Sequence, residues 1–157
     1  MGPRLLLAIA LAAAVGIVLG ALLPRLLVRR AQDRLAAEIQ GAGAAWQLLT
    51  RADLITGRWR RIPGVLGLRK DVVEFHGLFG ESVTLATSGI ARIRTGRRLA
   101  NGRLLFRLEA LGFESASGER LELILTHAAA FAWRSHLGAW AARERQADAD
   151  RVVPGKA

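Results

Sequence analysis

From Leu5 to Leu23 the chain runs through 19 consecutive residues without a charged or polar side chain, "LLLAIALAAAVGIVLGALL". As a helix this run would measure about 28 Å, close to the hydrocarbon thickness of a bilayer. A buried core helix and a cleaved signal peptide are the competing readings. Ala10, Ala12 and Ala14 imitate the small-residue cleavage site of a signal peptide. The apolar run continues past those alanines, however, and is followed at once by Arg25, Arg29, Arg30 and Arg34. The expectation is therefore an uncleaved transmembrane anchor over residues 1–24, flanked by those arginines. Only Arg4 precedes the run, so the excess of basic residues behind it predicts a carboxy-terminal domain on the cytoplasmic side of the inner (plasma) membrane. Gly16 and Gly20 form a G-x-x-x-G, a spacing that permits a homodimer through the span.

The next segment, residues 25–56, reads as a juxtamembrane helix. Leu27, Ala31, Leu35 and Ile39 recur every fourth residue with arginines and acids between them, Gly41 and Gly43 interrupt, and Trp46, Leu48 and Leu49 resume an apolar face. After Gly57 the period shortens to two. "GVLGL" puts Leu66 and Leu68 on one face, "RKD" turns, and "VVEFHG" puts Val73 and Phe75 on one face. "SVTLA" offers Val83 and Leu85, "TSG" turns into "IARIRTG", and Asn101-Gly102 is a favoured tight-turn pair before "LLFRLEAL". "ESASGE" is a polar turn leading to "RLELILT", with Leu121, Leu123 and Leu125 on one side. A helix closes the pattern, with Thr126 as its N-cap and Phe131, Trp133, Leu137, Trp140 and Ala141 as its apolar positions. Residues 146–157 read as a flexible tail.

In "GVLGLRKDVVEF", "VTLATSGIARIRTG" and "RLELILTHAAAFAWRSHLGAW" the chain resembles the opening strands, middle strands and closing helix of GRAM and bacterial pleckstrin-homology (PH) domains. The resemblance is one of pattern, and Arg69 stands where a threonine often follows the first strand. It implies a mainly β fold with one C-terminal helix, a PH-like partly open β-barrel over residues 57–145, preceded by the transmembrane and juxtamembrane helices. It also implies a domain that binds lipids or protein partners.

With 23 Lys and Arg against 13 Asp and Glu, the chain carries a net charge of +10, so its partner surface is expected to be anionic. The charge is concentrated. Arg92, Arg94, Arg97, Arg98, Arg103 and Arg107 follow one another with no acid between Glu81 and Glu109, and a second group around the first hairpin includes Arg58, Arg60, Arg61, Arg69 and Lys70. Arg92, Arg94, Arg97, Arg98, Arg103, Arg69 and Lys70 are the candidate lipid- or anion-binding residues.

No catalytic constellation stands beside them. There is no cysteine, no serine lies in a G-x-S-x-G, and neither phosphate-loop glycine pattern is present. Of the three histidines, His127 and His136 are nine residues apart, on roughly opposite helix faces. The expectation is a non-enzymatic membrane-anchored interaction module without metal or cofactor, binding anionic lipid or a membrane protein. An accessory subunit of a transporter or membrane enzyme complex is the alternative. Nucleic-acid binding is another, with Trp59 and Phe106 as the candidate base-stacking residues.

Overall fold

The protein is described by a computed structural model, which describes residues 3–57 and 60–138, apart from the side chains of 3–11, Ala14 and Leu19. A long helix, α1 (Pro3–Gly41), comes first. Seven strands follow: β1 (Leu48–Thr56), β2 (Arg60–Arg69), β3 (Val72–Gly77), β4 (Ser82–Ala86), β5 (Ile90–Gly96), β6 (Leu108–Ser115) and β7 (Arg120–Thr126). A second helix, α2, occupies residues 127–138. The strands form one antiparallel sheet in the order β4-β3-β2-β1-β7-β6-β5.

The transmembrane helix expected over residues 1–24 is not borne out: among the described residues no helix is long and apolar enough to cross a membrane. The helix does not end with the apolar run. It continues through Pro24 and past Arg25, Arg29, Arg30 and Arg34 to Gly41, so apolar and charged residues share one rod. Val15, Ile17, Val18, Leu22, Leu23, Leu26 and Leu27 are all exposed on it, and Gly16 and Gly20 face open space.

The helical reading of residues 25–56 also needs correcting beyond Gly41, because Leu48–Thr56 is strand β1. Ala52 and Leu54 turn inward at alternate positions, and the strand pairs with β2 along its whole length, from Leu48↔Leu68 to Thr56↔Arg60. Nine ladder pairs outweigh a helical preference that is weak for a strand containing Thr50, Ile55 and Thr56.

The last turns of α1 pack on the outer face of β1 and β2, where Val65 is fully buried. Gln32, itself buried, donates its side-chain amide to the carbonyls of Ala52 and Gly64 at 3.2 and 2.9 Å. Those two residues are register partners, so one amide ties the helix to both strands. Trp46 lies over Gly67, where a Cβ would sit 2.4 Å from the indole ring. Its Nε1–H donates to the Ile39 carbonyl at 3.3 Å, closing the link between helix and strand.

The main core lies on the inner face of the sheet. Leu66 and Leu68 from β2, Val73 and Phe75 from β3 and Leu121, Leu123 and Leu125 from β7 meet there, as the alternation in the sequence predicts, joined by Leu111 and Phe113 from β6. Helix α2 covers this core. Thr126 caps it, its Oγ1 accepting from the backbone N–H of Ala129 at 3.3 Å. That start sets the helical phase: Ala130, Trp133 and Leu137 turn inward, while Phe131 is one position off the stripe and 63% exposed. Trp140 and Ala141, also read as inward-facing, and the tail over 146–157 lie outside the described residues.

Trp133 is buried edge-on to Phe113, and its Nε1–H donates to Thr50 Oγ1 at 2.8 Å. It joins the last helix to the first strand. Trp133→Ala should lower the unfolding free energy by about 3–5 kcal/mol through the cavity and the lost transfer energy. Trp133→Phe should lose about 1 kcal/mol for the hydrogen bond, plus a smaller packing term. Urea unfolding followed by circular dichroism separates the two variants.

Candidate functional site

β5 is an edge strand, paired to β6 alone. An irregularity in the pairing between Ile90 and Arg92 adds a residue, so Ile90 and Ile93 both reach the core at a spacing of three. Arg92 and Arg94 are consequently exposed, opposite Glu114 and Gly112 of β6. After Gly96 the chain does not go directly into β6. Residues 97–107 fold back as a small hairpin in which Leu105 N–H donates to the Arg97 carbonyl at 2.7 Å and Leu99 N–H to the Arg103 carbonyl at 3.0 Å. The expected Asn-Gly turn forms its tip, with Gly102 at φ 84°.

This small hairpin is pinned to the outer face of the sheet. Leu99 and Leu105 are buried against Ala110 and Ile124, with Ile55 and Leu108 beside them, making a second core separate from the first. Glu122 Oε1 accepts the backbone N–H of Ala100 at 2.6 Å.

Between the hairpin and the sheet runs an open groove of about 840 Å³, lined by Arg92, Arg94, Arg97 and Arg98 together with Glu114, Arg120 and Glu122. The acids there are engaged. Glu114 pairs with Arg120 at 3.2 Å, and Glu122 holds the Ala100 amide. Among the described residues, Arg92, Arg94, Arg97 and Arg98 make no ion pair. Four guanidiniums with uncommitted donors around one concavity are suited to oxyanions such as phosphate or carboxylate, which accept paired N–H donors from arginine.

The remaining candidates are placed elsewhere. Arg103 is on the same small hairpin but does not line the groove. Arg69 is the last residue of β2, before the β2–β3 turn, where it pairs with Glu74 at 2.8 Å and stacks 5.6 Å from the Trp46 ring centroid, so its charge is already in use. Lys70 is exposed in that turn at φ 50°. Arg60 pairs with Glu81 at 3.1 Å and Arg61 with Asp53, while Arg58 and Trp59 lie outside the described residues. Arg25, Arg29, Arg30 and Arg34 are exposed along α1.

The histidines stand apart from the groove. His76 contacts Glu74 at 3.2 Å, and His136 Nδ1 lies 3.2 Å from the carbonyl of Ala132 on its own helix. His127 pairs with Glu109, a buried carboxylate whose second oxygen lies 3.5 Å from Arg134. This arrangement staples α2 to β6. Glu109 was not among the sequence-predicted site residues; the signal for it was its phase, since it shares a strand face with Leu111 and Phe113.

The class that these elements define is a mostly-β antiparallel sheet domain with a C-terminal helix, an architecture consistent with a β-sandwich or PH-like fold. No family model and no curated protein matches the chain. Among solved structures it is similar to the crystal structure of the C-terminal domain of an unknown protein from Leishmania infantum, with 11% sequence identity and a TM-score of 0.49. The match covers 64% of this chain and 88% of that one.

Replacing His127 and Arg134 together by Ala should destabilise the protein by about 3 kcal/mol or more, because the Glu109 carboxylate is then buried without a counter-charge. Glu109→Gln should cost less, about 1 kcal/mol, since the exposed His127 and Arg134 side chains can both turn to water. Midpoints of urea denaturation report the order.

Proposed function

We propose that this protein is a PH-like, non-enzymatic interaction module whose arginine groove on the β5–β6 side engages the headgroups of anionic lipid. The observation that carries the reading is the set of four exposed arginines, Arg92, Arg94, Arg97 and Arg98, gathered around one groove whose acids are already occupied. The net charge of +10 supports it, because each basic residue near an anionic leaflet contributes about 1 kcal/mol of attraction. Docking of this kind is peripheral and acts through the sheet domain. It needs no residue to change protonation state and no bond to break.

The arginines sit on an edge strand and a surface hairpin, so their charges can be reversed without disturbing the main core. Arg94→Glu, Arg97→Glu and Arg98→Glu combined should abolish sedimentation with vesicles containing phosphatidylglycerol, with an unchanged far-ultraviolet circular dichroism spectrum. Sedimentation equal to that of the parent protein would sink the lipid reading. Salt-sensitive retention of labelled DNA or RNA, lost in the same variant and with no vesicle binding, would move the groove to nucleic acid.

A further inference from the structure

Leu104 and Phe106 are exposed on the small hairpin, on either side of the buried Leu105. Phe106 is 86% exposed and Leu104 45% exposed. Single exposed apolar residues are ordinary on protein surfaces. Two features set this pair apart. The hairpin that carries them is held in shape by its own ladder, by the Leu99 and Leu105 anchors and by the Ala100–Glu122 hydrogen bond, so the apolar pair on its returning arm is presented before any partner arrives. In addition, every charged residue from Arg92 to Arg107 is an arginine. The other exposed phenylalanine in a strand connection, Phe79, is 76% exposed but neighbours Glu81, which is paired with Arg60.

An apolar pair held within a run of arginines fits a surface whose anions are laterally mobile and whose interior is hydrocarbon. We infer that Phe106 and Leu104 insert into the headgroup–acyl boundary of an anionic bilayer while the arginines beside them take the phosphates, making the 97–107 hairpin the membrane-entering element of the domain. This rests on the lipid reading of the groove and adds to it a depth and an orientation. The interface is where amphipathic elements place apolar side chains below basic ones. An acidic protein with an apolar pocket would also suit the charge, but it would have to fit a fixed arrangement of charges, whereas the groove's acids are engaged by Arg120 and the Ala100 amide and its four remaining arginines suit anions that can move to meet them.

The chain contains no cysteine, so a single one can be labelled cleanly. Phe106→Cys and, separately, Phe79→Cys would be labelled with an environment-sensitive nitrobenzoxadiazole dye on the full chain and mixed with phosphatidylglycerol-containing or pure phosphatidylcholine vesicles. The expected result is a blue shift and brightening of the label at 106 on the anionic vesicles only, with the label at 79 unchanged. Unlabelled Leu104→Ser/Phe106→Ser should bind those vesicles at least about tenfold more weakly. Vesicle binding that depends on the arginines while the label at 106 stays in water would overturn the insertion and leave the groove reading standing. Absence of arginine-dependent vesicle binding would overturn both. Because Phe106 is on the surface, its replacement should leave the fold intact, and a circular dichroism spectrum matching the parent confirms this.

Discussion

Strand β1 is the seam on which the rest of the structure depends. It pairs with β2 over all nine of its residues but with β7 over only three, Asp53 to Ile55. Its second half therefore holds the two ends of the sheet together, and its first half leaves β7. Into the space so opened comes Trp133, bonded to Thr50 in that first half. The C-terminal helix is thus placed by the point at which two strands part. Right-handed sheet twist makes such a parting easy, and a bulky indole with one polar edge suits a site that has both apolar walls and a hydroxyl.

Each outer half of the sheet has its own cover. Over β1 and β2 lie the end of α1 and Trp46, seated where Gly67 lacks a side chain. Over β6 and β7 lies the small hairpin, seated by Leu99 and Leu105. Beside the first cover two arginines are paired locally, Arg69 with Glu74 and Arg51 with Asp33. The second leaves arginines uncommitted beside a groove. The same basic composition therefore produces paired charges on one half and an open arginine groove on the other. What separates them is where the acids are spent, Glu74 on Arg69 but Glu114 on Arg120 and Glu122 on the Ala100 amide.

Much of the β domain was legible because the inner face takes an apolar residue at every second position of its strands. The alternation of Leu66, Leu68, Val73, Phe75, Leu121, Leu123 and Leu125 is the alternation of the inner core. β1 was not legible: Leu48-Leu49 and Leu54-Ile55 are adjacent apolar pairs with Arg51 and Asp53 between, which fits a helical period as well as a strand. Such a strand is decided by its neighbours, and β2 and β7 are distant in sequence or follow later. The apolar run at the start misled for a related reason, since counting its residues treats it as a separate segment when it is the first part of a continuous rod docked at its far end. The arginine cluster was visible because it is contiguous. Its distinction from the Arg69 group was not, because that depends on Glu74, Glu114 and Glu122 and on which of them is already spoken for.

The Gln32 latch has a consequence for how the molecule responds to its surroundings. A neutral amide on two carbonyls and an indole over a bare glycine are not screened by dissolved ions, whereas attraction between exposed guanidiniums and phosphates weakens within a screening length of about 8 Å at physiological ionic strength. The two sides of the sheet therefore answer to different variables. On the lipid reading proposed above, rising salt loosens the contact on the arginine side and leaves the helix on its seat.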